Sequence, residues 1–305
     1  MQDTLLLADI GGTNARFALL RGGTLGAAMA LPLAAFPGMA AMLAHYLASQ
    51  ALPGPPGGAL LAVAGPVAGN RARLTNRGWA VCGASLGAAL GIPAVRVLND
   101  FEALAWALPV LGGAELLALG GGQAEAGAAL AVLGPGTGLG VGAFLPPDRV
   151  LAGEGGHATL AAADELEAAV LALLRRRHGH VSAERILSGP GLEALHAALA
   201  ELEGRAAPGL TAAEVCDQAP ETVALFCAML GGFAGNVALT FGARGGVFLA
   251  GGILPRFPAA LAASAFRTRF EAKGRLAPWL AGIPTWLVLR PDAALAGLAN
   301  FAMRG

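Results

Sequence analysis

The sequence predicts an α/β protein built of two similar halves, and three observations predict it. Thr4 to Ile10 and Ala15 to Leu20 are apolar runs joined through Gly11 and Gly12, the pattern of a β-hairpin. The pattern returns where Ala129 to Leu133 runs through Gly134-Pro135-Gly136-Thr137-Gly138-Leu139-Gly140 into Val141 to Leu145. After the first hairpin, apolar runs over Ala59–Ala64 and Val95–Leu98 alternate with helical segments, which argues for a mixed sheet. Two such halves would set their hairpins across one cleft, each facing the phosphates of a nucleotide.

Composition agrees with a folded chain of one or two domains. At 305 residues it can bury a large core. The formal net charge is +0 and only 13% of residues are charged, so no nucleic-acid or anionic-membrane partner is expected. Cys82, Cys216 and Cys227 are scattered and odd in number. They read as small apolar residues of a reducing compartment, the cytoplasm, with no zinc-like spacing. The N-terminal apolar run is short, follows an acid and ends at Asp9, so it reads as a strand and not as a signal peptide.

Taken in order, the first half reads as a hairpin and then a helix over Met39–Ser49. A surface loop follows at Pro53–Gly58, leading to the strand 59–64. Ser85 is placed as the cap of a short helix running to Leu90. The strand 95–98 ends in Asn99-Asp100, of which one could cap a helix beginning at Phe101. Parallel strands present ligands outside their carboxyl ends, which would bring Asp9 and Asn99-Asp100 to one place. The division between domains is set at 108/109. In the second half, Asp164-x-x-Glu167 and Thr211-x-x-Glu214 have capping-box spacing, and a helix is expected over about Leu192–Leu202. Thr222 to Gly242 carries no charge and is long enough for a membrane span. Its Gly231, Gly232, Gly235 and Asn236, without aromatic or basic flanks, favour a buried core helix that lets a neighbour approach closely.

The chemistry sits in the turns and one loop. Glycines at Gly11 and Gly12 let successive N–H groups converge on an anion, Thr13 and Asn14 add donors, and Asp9 could hold a cation through water. A plain hairpin turn would also account for the first stretch alone. The second turn, with Gly134, Gly136, Thr137 and Gly138, makes the case for phosphate. Gly138 to Ala143 matches a dinucleotide fingerprint by letters only, since Pro146-Pro147 follows where a helix is needed. Bulk at Gly138 would then raise the nucleotide requirement more than that of the second substrate. Gly153-Glu154-Gly155-Gly156-His157 holds an acid and an imidazole on a close-packing backbone, suited to the hydroxyls of a polar neutral molecule, and makes a poor metal pair. Lysine occurs once, at Lys273, so a phosphate site must rest on loop amides, threonines, a metal or arginine. No G-x-x-x-x-G-K-[ST] loop and no protein-kinase signature is present.

With these residues assembled, the chain resembles the bacterial glucokinases of the hexokinase superfamily. The resemblance rests on Asp9-Ile-Gly-Gly-Thr-Asn-Ala-Arg16, Asn99-Asp100-Phe101, Gly134-Pro-Gly-Thr-Gly-Leu-Gly140, Gly153-Glu-Gly-Gly-His157, Gly179-His-Val-Ser-Ala-Glu-Arg185 and Leu249-Ala-Gly-Gly-Ile-Leu-Pro255. It implies an α/β, two-lobed actin-like (ribonuclease H-like) ATPase fold with a central cleft, a small domain over 1–108 and a large one over 109–290. A helix over about 291–305 would return to the small domain. It further implies ATP and Mg²⁺, and phosphorylation of glucose on its 6-hydroxyl at the head of glycolysis, by a cytoplasmic homodimer. Asp100 would be the general base. Asn99, Glu154, His157 and Glu184 would hold sugar hydroxyls, with Thr75 and Asn76, near Trp79, as a further sugar-side loop. Thr13 and Thr137 would be phosphate donors, and Gly251-Gly252 the segment under the adenosine. Sugar ligands from both domains would make glucose favour a closed form. The alternatives are a related sugar kinase using another hexose or a polyphosphate donor, and a non-catalytic sugar sensor on the same scaffold.

Overall fold

The computed structural model describes residues 4–74, 78–206 and 209–304. The chain divides into two compact units, Met1–Gly112 with Arg290–Gly305, and Gly113–Leu289.

In the first unit, β1 (Thr4–Ile10) and β2 (Asn14–Arg21) form a hairpin with Ile10 opposite Ala15. The Gly11 N–H closes the turn on the Asn14 carbonyl at 3.1 Å. Two short strands, β3 (Thr24–Leu25) and β4 (Met29–Pro32), pair with β2. On the other side β5 (Gly58–Val63) runs parallel to β1. A small antiparallel sheet follows, of β6 (Val67–Ala68), β7 (Arg71–Arg73) and β8 (Ala80–Cys82). The chain then returns through β9 (Val95–Asn99), parallel to β5, for an order of β3-β2-β1-β5-β9. The inner strands are near-continuous apolar runs because helices cover the sheet. Phe17 of β2 stacks on Tyr46 of α1 (Met39–Ser49) with ring centres 5.0 Å apart, and Met42 and Leu43 fill the space beside them.

Helix α2 (Gly83–Leu90) starts two residues before Ser85, which lies within its first turn; Cys82 occupies the cap position. The reason is tertiary: the Gly83 N–H bonds the Asn70 carbonyl at 3.1 Å, and Asn70 Nδ2 in turn donates to the Val95 carbonyl at 2.8 Å. A Cβ at Gly83 would stand 2.5 Å from that carbonyl, so only glycine fits where the helix meets β9. Helix α3 (Asp100–Ala107) packs against the C-terminal helix Ala293–Arg304. Asn300 Nδ2 of that helix donates to the Trp106 carbonyl at 2.8 Å, and Phe301 lies 5.3 Å from the Trp106 ring.

The second unit repeats the plan. Strand β10 (Leu116–Gly120) is an edge, and β11 (Leu130–Pro135), β12 (Leu139–Leu145) and β13 (Arg149–Gly153) form an antiparallel meander. Beside β11 lie β14 (Gly246–Leu249) and β15 (Thr285–Val288), parallel to it, giving the order β10-β15-β14-β11-β12-β13. Each unit therefore carries a glycine-turned hairpin in mid-sheet with two parallel strands to one side. That shared plan is the likeness between halves expected from the paired glycine turns.

The helices of this unit are α4 (Glu165–His178), α5 (Gly189–Leu202), α6 (Ala212–Gln218), α7 (Pro220–Phe241), α8 (Pro258–Ala263), α9 (Phe266–Glu271) and α10 (Ala277–Ala281). Thr211 and Glu214 make the full capping box on α6. At α4 only half of it forms. Asp164 accepts from the Glu167 N–H, but the buried Glu167 reaches the Ala163 N–H and pairs with Arg269 instead. Helix α5 begins before Leu192, at Gly189, because Ser188 accepts from the Gly191 N–H at 3.0 Å.

The membrane-length apolar stretch is α7, the one helix among the described residues that is long and apolar enough to span a bilayer. Its most apolar window is 72% buried within the fold. Gly231 and Gly235 give way to the backbone carbonyls of Phe266 and Phe270, where any Cβ would clash. Gly231 and Gly235 thus allow the close approach expected of this stretch, whereas Gly232 has nothing within 4 Å of its Cβ position.

Candidate active site

In the first unit, the strand register gathers the acids. Ile10 aligns with Val63 and Val63 with Asn99, so Asp9 and Asn99-Asp100 stand at one end of the parallel strands. Two strand spacings put them roughly 10 Å apart. Asn99 is the N-cap of α3: its Oδ1 accepts from the N–H groups of Phe101 (2.9 Å) and Glu102 (3.1 Å). Its Nδ2 donates to the Gly65 carbonyl at 3.0 Å, leaving one Nδ2 hydrogen for a ligand. The capping question left open by the sequence is thus decided for Asn99. Asp100 takes the first helical position, its Oδ1 accepting from the Phe101 N–H at 3.0 Å. A carboxylate there is favoured by the helix dipole.

Asp9 faces Arg16, its cross-strand partner, with Oδ2 3.8 Å from the Arg16 Nη1. The Asp9 side chain is 17% exposed. Burial pushes its carboxyl up to about 6, with the Arg16 charge pulling the other way. Arg16 had no assigned role from sequence; antiparallel register is what places it. Gly11 and Gly12 are half-buried, while Thr13 and Asn14 stand exposed at the turn.

A folded-state value above the ordinary 3.8 means that the native protein holds the Asp9 proton more tightly than the unfolded chain. Stability from this group is therefore full below about pH 4 and is lost as pH rises toward 6. At about 1.4 kcal/mol per unit the loss is on the order of 3 kcal/mol. Asp9→Asn should match the wild type in urea midpoint at pH 4 and exceed it at pH 8, both without added cation or nucleotide. Equal midpoints at pH 8 would show that ionised Asp9 carries no such strain.

In the second unit, Glu154, His157 and Glu184 come together. His157 Nε2 lies 3.9 Å from Glu154 Oε2, and Nδ1 lies 4.0 Å from Glu184 Oε1. Glu154 precedes and His157 ends a one-turn 3-10 helix over Gly155–His157 that Gly156 lets press against β12, where a Cβ would collide with the Leu139 carbonyl. Glu184 arrives from 27 residues beyond His157 through a short antiparallel contact. Thr159 bridges Ser182, the Leu160 N–H donates to Val181 and the Ala183 N–H to Ala158. Thr159 Oγ1 also bonds His180 at 2.9 Å.

The second glycine turn spans Gly136–Gly138, with the Gly136 N–H on the Gly138 carbonyl at 2.8 Å. Its glycines divide by task. Gly134 and Gly251 face each other's backbones where β11 and β14 end: a Cβ on Gly134 would lie 2.7 Å from the Ala250 carbonyl. Gly251, at φ +90°, leaves no room beside Pro135. Gly136 and Gly252 have open space around them, and Thr137 is exposed. Gly138 faces Glu184, with a Cβ 2.5 Å from its Oε2. Bulk at Gly138, expected from sequence to act mainly on the nucleotide, would first meet this carboxylate. Thr75 and Asn76 lie outside the described residues.

The family model described as Glucokinase matches residues 6–305. A glucokinase of Paramagnetospirillum magneticum is 47% identical over 98% of each chain. Relatives described as bifunctional proteins, at 42% identity in Paraburkholderia xenovorans, are longer, and the chain spans 48% of that protein. A crystal structure of a glucokinase from an Antarctic psychrotroph superposes with a TM-score of 0.89 at 37% identity, covering all of both chains. A glucokinase of Streptomyces griseus from the ROK family, solved with glucose and AMPPNP, shares the fold at a TM-score of 0.62 and 19% identity over 99% of this chain and 100% of that one. These neighbours carry the α/β actin-like ATPase fold class that the motifs implied. With residues 6–305 matched, the chain belongs to the glucokinase family.

Proposed function

We propose that the protein transfers the γ-phosphoryl group of ATP to the 6-hydroxyl of glucose, forming glucose 6-phosphate for glycolysis. The observation that carries this is Asp100, a carboxylate at the head of α3, at the strand ends that also hold the Asp9 hairpin, in a chain of this family. Phosphoryl transfer needs positioning and charge stabilisation, and the attacking hydroxyl needs an acceptor for its proton. Asp100 is that acceptor. Asn99 offers its remaining amide hydrogen to a sugar hydroxyl, and Glu154, His157 and Glu184 hold others. The turns at Gly11–Asn14 and Gly136–Gly138 hold phosphate oxygens through amides and the Thr13 and Thr137 hydroxyls, and Gly252, with open space around it, underlies the adenosine.

Asp9 fits a place near Mg²⁺. It is a carboxylate whose burial makes ionisation costly and whose compensation by Arg16 at 3.8 Å is partial, so a divalent cation would relieve it. No group of three or more His, Cys, Asp or Glu able to hold a metal occurs among the described residues. The ion would then share its ligands with the nucleotide phosphates and water. It would supply charge neutralisation on the transferring phosphoryl group. The working form proposed is a cytoplasmic homodimer. A coupled assay over a panel of hexoses, with ATP or polyphosphate, tests the function. Glucose with ATP should give the highest kcat/KM. Turnover of another hexose alone, use of polyphosphate alone, or no turnover by folded protein would overturn it.

A further inference from the structure

The Glu184 carboxylate answers to two groups at once. Its Oε2 accepts the backbone N–H of Leu139 at 2.8 Å, at the exit of the second glycine turn. Its Oε1 lies 4.0 Å from His157 Nδ1. A Cβ on Gly138 would meet Oε2 at 2.5 Å, Cδ at 3.3 Å and Oε1 at 4.0 Å, and these three Glu184 atoms are its nearest neighbours. The space that glycine leaves open at position 138 is filled by this one side chain.

We propose that Gly138 and the Leu139 amide are positioning groups for Glu184, so that the second glycine turn sets the place of a sugar-holding carboxylate. This rests on the glucokinase reading and adds a mechanical link to it. With Oε2 bound to Leu139, Oε1 is the oxygen directed to a sugar hydroxyl and to His157. The turn is itself anchored, its Gly136 carbonyl accepting the Gly189 N–H at 2.8 Å from the head of α5. Whatever moves the turn when phosphates bind moves Glu184 with it. Sugar and nucleotide affinities thus become coupled through a single hydrogen bond, and coupling of this kind is reciprocal.

The test is a double-mutant cycle read in kinetics and in amide exchange. Gly138→Ala has no backbone strain to overcome, as Gly138 is not among the positive-φ residues. Its Cβ displaces the flexible end of a side chain, so the fold survives. It should raise the glucose KM about tenfold, the scale of one hydrogen bond to a charged group, and by more than it raises the ATP KM. In a Glu184→Ala background the same substitution should add almost nothing, because the space is vacated. Glu184→Gln, which retains the acceptor for Leu139, should keep that amide slow to exchange, whereas Glu184→Ala and Gly138→Ala should both speed it. A Gly138→Ala penalty that persists in Glu184→Ala, or one confined to the ATP KM, overturns the proposal, as does a glucose KM unchanged by Glu184→Ala. If the wild type does not turn over glucose, the glucokinase reading and the sugar half of the proposal fall. Exchange at Leu139 then decides the tether alone.

Discussion

Asp100→Asn should leave a folded protein that still binds glucose but turns it over roughly 10²–10⁴-fold more slowly, the range for loss of a general base. The variant separates chemistry from structure because the cap of α3 is Asn99 and not Asp100. Asn99 Oδ1 already holds the Phe101 and Glu102 N–H groups. The 3.0 Å bond from the Phe101 N–H to Asp100 can be made equally to an asparagine carbonyl oxygen. Far-UV circular dichroism and the urea midpoint should therefore stay close to wild type while kcat falls. Near-normal kcat in a folded variant would remove Asp100 from the role of base and leave the acceptor to be sought elsewhere.

Gly297→Ala should be the most damaging single methyl group in the first unit. A Cβ there would penetrate the Ala103 carbonyl of α3 and stand 2.8 Å from the Ala107 nitrogen. Both are backbone atoms, which cannot rotate aside, so the C-terminal helix and α3 must separate. Separation would also stretch the bond from Asn300 to the Trp106 carbonyl and part Trp106 from Phe301. We expect a loss of about 3 kcal/mol or more, at the upper end for overpacking. That is a large share of the 5–15 kcal/mol by which a protein is typically stable. Because α3 carries Asp100, activity per folded molecule should fall as well. Gly232→Ala is the control. It lies in α7 with nothing within 4 Å of its Cβ position, and it should be neutral or gain up to about 1 kcal/mol from helix propensity. Urea midpoints of the two variants measured side by side decide the matter, and equal midpoints would show that the close crossing at Gly297 relaxes without penalty.

Neighbouring residues settle a large part of this fold among themselves. The hairpins through Gly11-Gly12 and Gly134–Gly140, the strands ending at Ile10 and Leu98, and an uncharged core helix over Thr222–Gly242 were legible in the sequence, and that helix forms as Pro220–Phe241. Turn chemistry and apolar periodicity act over a few residues, so their outcome is written locally. The family motifs also pointed to Glu154, His157 and Glu184, though nothing in a linear reading joins Glu184 to the other two.

Which surfaces meet follows from packing between distant parts of the chain. Antiparallel pairing of Thr159 with Ser182 carries Glu184 to His157, and cross-strand register sets Arg16 beside Asp9. Asn70, reaching to β9, pulls the start of α2 forward to Gly83. Glycines that look alike in sequence separate the same way. Gly136 stands in open space, Gly134 and Gly251 admit each other's backbones, and Gly138 makes room for a carboxylate 46 residues away. A missing side chain declares its purpose only through the atom that occupies its place, and that atom comes from a part of the chain that local rules do not see.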